Sequence, residues 1–134
     1  MPQGKDGNQM AGNNSYFFDT YALFEIVVGN HNYARVTNNV KMITTRMNLM
    51  ELHYQLLTRY SKEYAEKVYA GFKEFVIDVS DEEIQLANEF RATNKKARFS
   101  YIDCIGYIMA GRRGVKFLTG DKAFEKLENV EFVR

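Results

Sequence analysis

The sequence predicts an α/β fold: a three-layer α/β/α sandwich around a mainly parallel central sheet of about five strands. Three observations carry this expectation. From Tyr16 onward, short apolar runs rich in aromatic and β-branched residues alternate with longer segments at helical spacing, the pattern of βα units. No internal repeat or linker interrupts the alternation. At 134 residues the chain has the common size of one domain, and 46% hydrophobic residues supply a sizeable core.

The elements follow in order. The opening residues 1–14 are polar and rich in Gly and Asn, and read as a flexible tail, leaving residues 15–134 as the domain. The first strand covers 16–19, and the apolar helix after it, 20–28, stops at Gly29-Asn30, a frequent C-terminal cap pair. A short helix is expected at 33–39 and a strand at 41–45. The next helix should begin near Asn48, with Leu49, Leu52, Leu56 and Tyr60 on one stripe. Ser61 caps a further helix carrying Ala65, Val68 and Phe72, weakened near its end by Gly71. A third strand is expected at 75–79. Ser80-Asp81-Glu82-Glu83 forms a capping box for a helix that buries Ile84, Ala87 and Phe90 and runs to about Asn94. A helix over 100–111 presents Ile102, Ile105 and Met109. It leads to a strand at 115–119, a short helix from Asp121 and a last strand at 130–133.

Composition removes several function classes. The sequence has no apolar run of membrane-spanning length and no signal-peptide core near its start, so a cytoplasmic protein with no membrane partner is expected. Cys104 is the one cysteine, which rules out an internal disulfide, and no paired Cys or His spacing suggests zinc. It reads as a small buried hydrophobe. Eighteen basic against 17 acidic residues leave a net charge of +1, so any contact with nucleic acid must rest on local patches.

The acidic residues are more informative. In a parallel sheet with crossover helices, strand C-termini and helix N-termini share one edge, the edge at which such folds bind ligands. Asp19 ends the first strand, Glu51 falls in the first turn of the helix after the second, Asp103 opens its helix, and Asp121 follows the fourth strand. Each has a bland explanation. Asp103 and Asp121 would favour a helix N-terminus through its partial positive charge, and Glu51 could close a capping box with Asn48. Asp19 resists that explanation, because a carboxylate ending an apolar strand needs something positive beside it. A hard divalent cation would supply it: Mg²⁺ and Mn²⁺ take oxygen ligands, and converging carboxylates are their usual site. In phosphodiester hydrolysis such ions generate hydroxide and stabilise the leaving oxygen, and no His or Cys is required. His53, two positions from Glu51, faces another way, and His31 sits in a loop. Crowding four carboxylates should raise at least one pKa in the absence of metal.

At this point the residues resemble a known family. Tyr16-Phe17-Phe18-Asp19-Thr20-Tyr21-Ala22-Leu23 looks like the opening of the PIN-domain family, in which a strand ends at an Asp followed by Thr or Ser. Met50-Glu51-Leu52, the segment Asp103 to Ala110, and Val115 to Phe124 with Thr119-Gly120-Asp121 resemble the remaining acidic motifs in order and spacing, so the likeness spans 16–133. The resemblance implies an Mg²⁺- or Mn²⁺-dependent endoribonuclease, with Asp19, Glu51, Asp103 and Asp121 holding the metal and Thr20 and Thr119 supporting the site. It also implies a toxin subunit of a VapBC-type toxin–antitoxin pair, a homodimer with an antitoxin protein as partner. Two departures stand out: Ala123 lies where many relatives carry a further acid, and the polar stretch before residue 15 is longer than usual.

Arg91, Lys95, Lys96 and Arg98, just before the Asp103 helix, are the candidates for holding RNA phosphates. Arg112-Arg113 should emerge at the opposite edge and reads as a solvated helix face. Asp78, inside the expected third strand, is excluded from the site. Most of the nine tyrosines fall on apolar stripes and read as packing rather than base-stacking residues. Leu56, Leu57, Val68, Tyr69 and Phe72 offer more apolar surface than one buried face needs, which suits a homodimer. A receiver-like signalling domain needs paired acids after the first strand and a Lys after the last, and the sequence has neither. A non-catalytic PIN fold used only for binding would lose one or more of the acids, and all four are present. An RNA-processing nuclease without an antitoxin is separated from the toxin by the neighbouring reading frame.

Overall fold

The computed structural model describes residues 14–134, so the expected tail, apart from Asn14, lies outside the described residues. In chain order the elements are β1 (Ser15–Phe18), α1 (Thr20–Val27), β2 (Lys41–Ile43), α2 (Arg46–Arg59), α3 (Lys62–Phe72), α4 (Asp81–Thr93), α5 (Tyr101–Arg112), β3 (Lys116–Thr119) and β4 (Val130–Phe132). Single 3-10 segments occupy His31–Val36, Lys73–Phe75, Lys95–Ala97 and Lys122–Phe124. The sheet order is β2-β1-β3-β4 and every pairing is parallel, with Phe17 opposite both Ile43 and Phe117, and Thr119 opposite Phe132.

Side chains alternate across the strands, and each face has its own core. Phe18 and Leu118 join Ala22, Leu23, Leu49, Leu52, Leu56 and Ala65 on the side covered by α1, α2 and α3. Phe17 and Phe117 join Ala87, Phe99, Cys104, Ile105, Met109 and Phe124 beneath α4 and α5. The molecule is therefore three layers, as the alternation of elements predicts.

The helix expected at 33–39 is a 3-10 turn over His31–Val36 and the strand expected at 41–45 ends at Ile43; two further differences bear on the site. The third strand at 75–79 is reduced to one parallel bridge, Thr44 with Val76, made by Thr44 N–H to the Phe75 carbonyl (3.1 Å) and Ile77 N–H to the Thr44 carbonyl (2.9 Å). Phe75 still belongs to the 3-10 turn after α3, and Ser80 already caps α4, so too few residues lie between to extend the ladder. The sheet proper has four strands. The helix expected near Asn48 begins at Arg46, because the Thr45 hydroxyl, not Asn48, caps it. Glu51 consequently lies one turn further in, and no acid occupies the first turn of α2.

Leu56 is fully buried, while Val68, Tyr69 and Phe72 are half-buried against the same core. Leu57 stays exposed, in company with Met50 and Tyr54 on α2, Tyr60 just after it and Tyr64 on α3. Of the residues expected to face a partner, Leu56 is the one that is wholly enclosed.

Gly106 shows how closely α5 rests on the sheet. A Cβ there would stand 2.6 Å from Phe17 Cε1 and 3.0 Å from Phe117 Cε1, and both rings are fully buried and stacked on each other at 5.9 Å. Neither ring has room to retreat. Gly106→Ala gains roughly 1 kcal/mol of helix propensity but forces an overpacked core, which costs about 1 to 3 kcal/mol. The expected outcome is a lower melting temperature, checked by thermal denaturation; a rise would mean that α5 shifts outward freely.

Candidate active site

The chain runs from β1 to β2 on one side and later places β3 on the other side of β1, so the strand order reverses between β1 and β3. In open α/β sheets, ligands bind in the crevice outside the carboxyl ends of the strands at such a point. Asp19 follows the last residue of β1, and Thr119 ends β3 with Asp121 two residues on.

Each of the four acids is tied to a local partner. Asp19 is the N-cap of α1, its Oδ1 accepting from Ala22 N–H at 2.9 Å. The buried Thr119 hydroxyl also donates to the Asp19 carboxylate and accepts from Asp121 N–H at 3.0 Å, so one threonine joins the ends of β1 and β3. Asp121 caps the next 3-10 turn through Ala123 N–H (3.0 Å). Asp103 closes a capping box with Ser100: it accepts from Ser100 N–H (3.2 Å), while the Ser100 hydroxyl accepts from Asp103 N–H (3.0 Å). Glu51 does not turn back to Asn48. Its Oε1 accepts from the Thr20 hydroxyl at 2.5 Å, and Thr20 Oγ1 in turn accepts from Asn48 Nδ2 at 3.1 Å. Asn48 Oδ1 accepts from the Thr45 hydroxyl at 2.6 Å. A buried chain from Thr45 through Asn48 and Thr20 therefore holds Glu51 in place.

Capping alone would leave these groups independent, but they act on one another. Burial is the largest influence on Asp19, which is only 2% exposed, and it pushes the carboxyl up to about 8. The Thr119 and Ala22 hydrogen bonds oppose that rise, while the Asp103 and Asp121 carboxylates add to it. Glu51 is raised by burial and then by Asp103, with the Thr20 hydroxyl opposing. Asp103 is raised by burial, with Asp121 adding and Ser100 opposing. The shared electrostatics link all four acids, although desolvation rather than mutual repulsion dominates.

Whether these residues suit a divalent cation follows from their chemistry. Among the described residues none of the four forms an ion pair with Lys, Arg or His, so the buried Asp19 carboxylate has no positive partner. The donor set is all carboxylate oxygen, which matches a hard cation. As placed, no three His, Cys, Asp or Glu side chains among the described residues stand in a ligating arrangement. Each carboxylate is turned toward its own hydrogen-bond partner, so ion binding would require the side chains to swing inward from a backbone already positioned.

The remaining candidates fall as follows. Lys95, Lys96 and Arg98 are exposed just ahead of α5, with Arg98 held in the left-handed region at φ 59°. Arg91 is committed to structure: its Nε donates to the Phe99 carbonyl (2.9 Å) and its guanidinium stacks on Tyr101 (4.1 Å to the ring centroid). Arg112 and Arg113 at the end of α5 pair with Glu82 and the buried Glu83 at the start of α4. Burial pushes the Glu83 carboxyl up, but Arg113 and Ser80 together hold it below the usual carboxylate range. Asp78 is exposed near that same start of α4, away from the opening of α5 where Asp103 sits, and is not among the groups that act on Asp19, Glu51 or Asp103. It lies outside a strand, not inside one. His31 is exposed in a 3-10 turn and His53 packs edge-on against Tyr69 at 5.9 Å. Cys104 is buried, and its thiol is pushed up to about 11 by that burial, an inert core group. Sequence reasoning missed Asn48 as the link to Thr20 and Ser100 as the partner of Asp103. The Ser100-x-x-Asp103 spacing was a readable signal; the Asn48 contact, 28 residues apart in sequence, was not.

Comparison with known proteins agrees with this fold. The profile of the PIN domain matches residues 16–130. No curated protein sequence matches the chain. Among solved structures, a DNA-bound VapBC from Salmonella typhimurium is similar at 23% identity and a TM-score of 0.68, covering 88% of this chain and 96% of that one. The Mycobacterium tuberculosis toxin VapC20, described as cleaving the sarcin-ricin loop, is similar at 19% identity and 0.67, over 89% and 99%. A toxin–antitoxin complex from Klebsiella pneumoniae gives 15% identity and 0.68, over 87% and 95%. At these identities the likeness establishes the shared fold. No helix among the described residues is long and apolar enough to cross a membrane.

Proposed function

We propose, from the premise that this chain belongs to the PIN-domain family, that it is a divalent-metal-dependent endoribonuclease hydrolysing phosphodiester bonds of RNA. The observation that carries this reading is the buried Asp19 carboxylate at the reversal of strand order, without a cationic partner and coupled to Asp103 and Asp121. Asp19, Glu51, Asp103 and Asp121 would hold Mg²⁺ or Mn²⁺. When bound, such an ion supplies Lewis-acid chemistry and a hydroxide nucleophile at neutral pH. The chain's own contribution is placement. Thr119 fixes Asp19 against the turn to Asp121, Ser100 fixes Asp103, and Thr20 with Asn48 fixes Glu51. Lys95, Lys96 and Arg98 would attract RNA phosphates beside the opening of α5.

The toxin reading is the finer form of this proposal. Several similar structures are toxin–antitoxin complexes, and Met50, Tyr54, Leu57, Tyr60 and Tyr64 leave exposed apolar side chains on α2, the turn after it and the start of α3 that suit an antitoxin or a second copy in a homodimer.

Purified protein should cleave single-stranded RNA with Mg²⁺ or Mn²⁺, stop on chelation and resume when Mn²⁺ is restored. Cleavage that continues at the same rate in chelator, with a preparation of Asp103→Asn excluding contaminating nuclease, would overturn the reading.

A further inference from the structure

At the sheet edge that carries the four acids, one arginine is held ready by neutral groups. β4 pairs with β3 so that Val133 N–H donates to the Thr119 carbonyl at 2.9 Å, which sets the next residue, Arg134, at the carboxyl edge of the sheet. The Arg134 backbone carbonyl accepts from Asn30 Nδ2 (3.2 Å) and Asn32 Nδ2 (3.4 Å), and Tyr33, buried one residue further on, donates its hydroxyl to the Val133 carbonyl at 2.7 Å. The backbone beneath the arginine is thus anchored three times.

Its side chain is directed as well. The guanidinium donates to the Tyr21 hydroxyl, and Tyr21 lies two residues after Asp19. The Tyr21 ring rests on Gly120: a Cβ at that glycine would fall 2.2 Å from Tyr21 Cε1 and 2.4 Å from the Val133 carbonyl oxygen. Only glycine allows this approach, and it lies between Thr119 and Asp121. Asp121 and Glu125 are near enough to act on Arg134, yet among the described residues it forms no ion pair within 4.0 Å.

We infer that Arg134, oriented by Tyr21 over Gly120, is a phosphate-binding residue of the active site and holds the RNA backbone beside the carboxylates. A guanidinium presents a fork of N–H donors matched to phosphate oxygens, and one held by a hydroxyl keeps both its charge and most of its donors for a ligand. An acidic site repels RNA, so a fixed cation at its rim answers a need that the four carboxylates create. Arg91, expected from sequence to serve in this way, is bound to the Phe99 carbonyl and Tyr101. The inference rests on the nuclease reading but concerns binding, which can be measured without turnover.

The probe is a fluorescent 2′-O-methyl RNA oligonucleotide, titrated by anisotropy in chelator over a range of salt, beside a cleavage assay with unmodified RNA. Arg134→Ala should raise Kd several-fold at low salt and reduce the slope of log K against log salt by about 0.7, the contribution of one phosphate contact on a single strand. Arg134→Lys should keep the slope with weaker binding, and Tyr21→Phe should do the same. An unchanged slope and affinity in Arg134→Ala, while wild type binds and cleaves, overturns the inference and leaves the nuclease reading intact. Arginine-dependent binding without any cleavage supports the inference and sinks the nuclease reading. Wild type that cleaves without binding the probe also overturns the inference. The melting temperature of Arg134→Ala should match wild type, since the anchoring contacts are made by backbone.

Discussion

Asp19→Asn is expected to lower metal-dependent RNA cleavage by at least about 10²-fold, the scale on which single charged or orienting groups act at such sites, without unfolding the protein. The substitution keeps size and keeps an oxygen to accept from Ala22 N–H, so the cap on α1 survives. It removes the one carboxylate that is fully enclosed and lacks a cation beside it. In metal-free protein above neutral pH the asparagine should even be the more stable, because a neutral amide escapes the cost of an ionised buried carboxylate. Loss of cleavage with retained or raised melting temperature would separate function from fold at a single position. Cleavage within a few-fold of wild type at saturating Mn²⁺ would remove Asp19 from the site, and a collapsed fold would mean that its capping role outweighs the rest.

The same residue shows what the sequence can and cannot convey. Asp19 was legible because one polar group at the end of Tyr16-Phe17-Phe18 breaks an apolar pattern, and such a break demands a physical reason. The capping box at Ser80 and the stripe of Leu49, Leu52 and Leu56 were legible for the same cause: the information is local and periodic. The start of α2 was misplaced because Thr44 and Thr45, both β-branched, extend a strand-like run, while Asn48 looks like a cap. In the fold, Thr45 takes the cap and frees the Asn48 side chain to reach Thr20. That moved Glu51 out of the first turn without moving it away from the other acids, since Thr20 beside Asp19 receives it. Residues 75–79 read as a strand on composition alone, but strand length depends on where the neighbouring turn and cap fall, and these leave room for one bridge. Pairings such as Arg113 with Glu83, 30 residues apart, and the placement of Arg134 beside Tyr21, depend on packing between elements. No spacing rule conveys them.

The stability of the metal-free protein should fall as pH rises from about 4 to about 8, and a divalent cation should reverse the trend. Asp19 titrates at about 8 in the folded chain against 3.8 as its ordinary value. Below the lower value both folded and unfolded forms hold the proton, and above the upper value both have lost it. Between them the folded form alone keeps it, so each step up in pH favours unfolding, by at most about 1.4 kcal/mol per pH unit for one proton. Glu51 and Asp103, also raised by burial, add the same sign. Glu83 works in the other direction: its carboxyl is held down by Arg113, so its contribution is present above the ordinary Glu value and is lost as pH falls through the lowered one. A stability maximum in the mildly acidic range follows. The size of the fall from that maximum, a few kcal/mol, is a large share of what a domain this size has in reserve. An ion held by the carboxylates must displace the Asp19 proton, so Mn²⁺ should bind more tightly with rising pH across the same window and release protons at neutral pH. Melting temperature against pH, with chelator and with Mn²⁺, reads the first effect. Calorimetric titration of Mn²⁺ in two buffers of different ionisation enthalpy counts the protons. Asp19→Asn should flatten the chelator curve and reduce the proton count. A metal-free melting temperature that climbs steadily from mildly acidic to mildly basic pH, or Mn²⁺ binding with no proton release, would show that Asp19 is already ionised in the empty fold, and that its burial is compensated by something other than a cation.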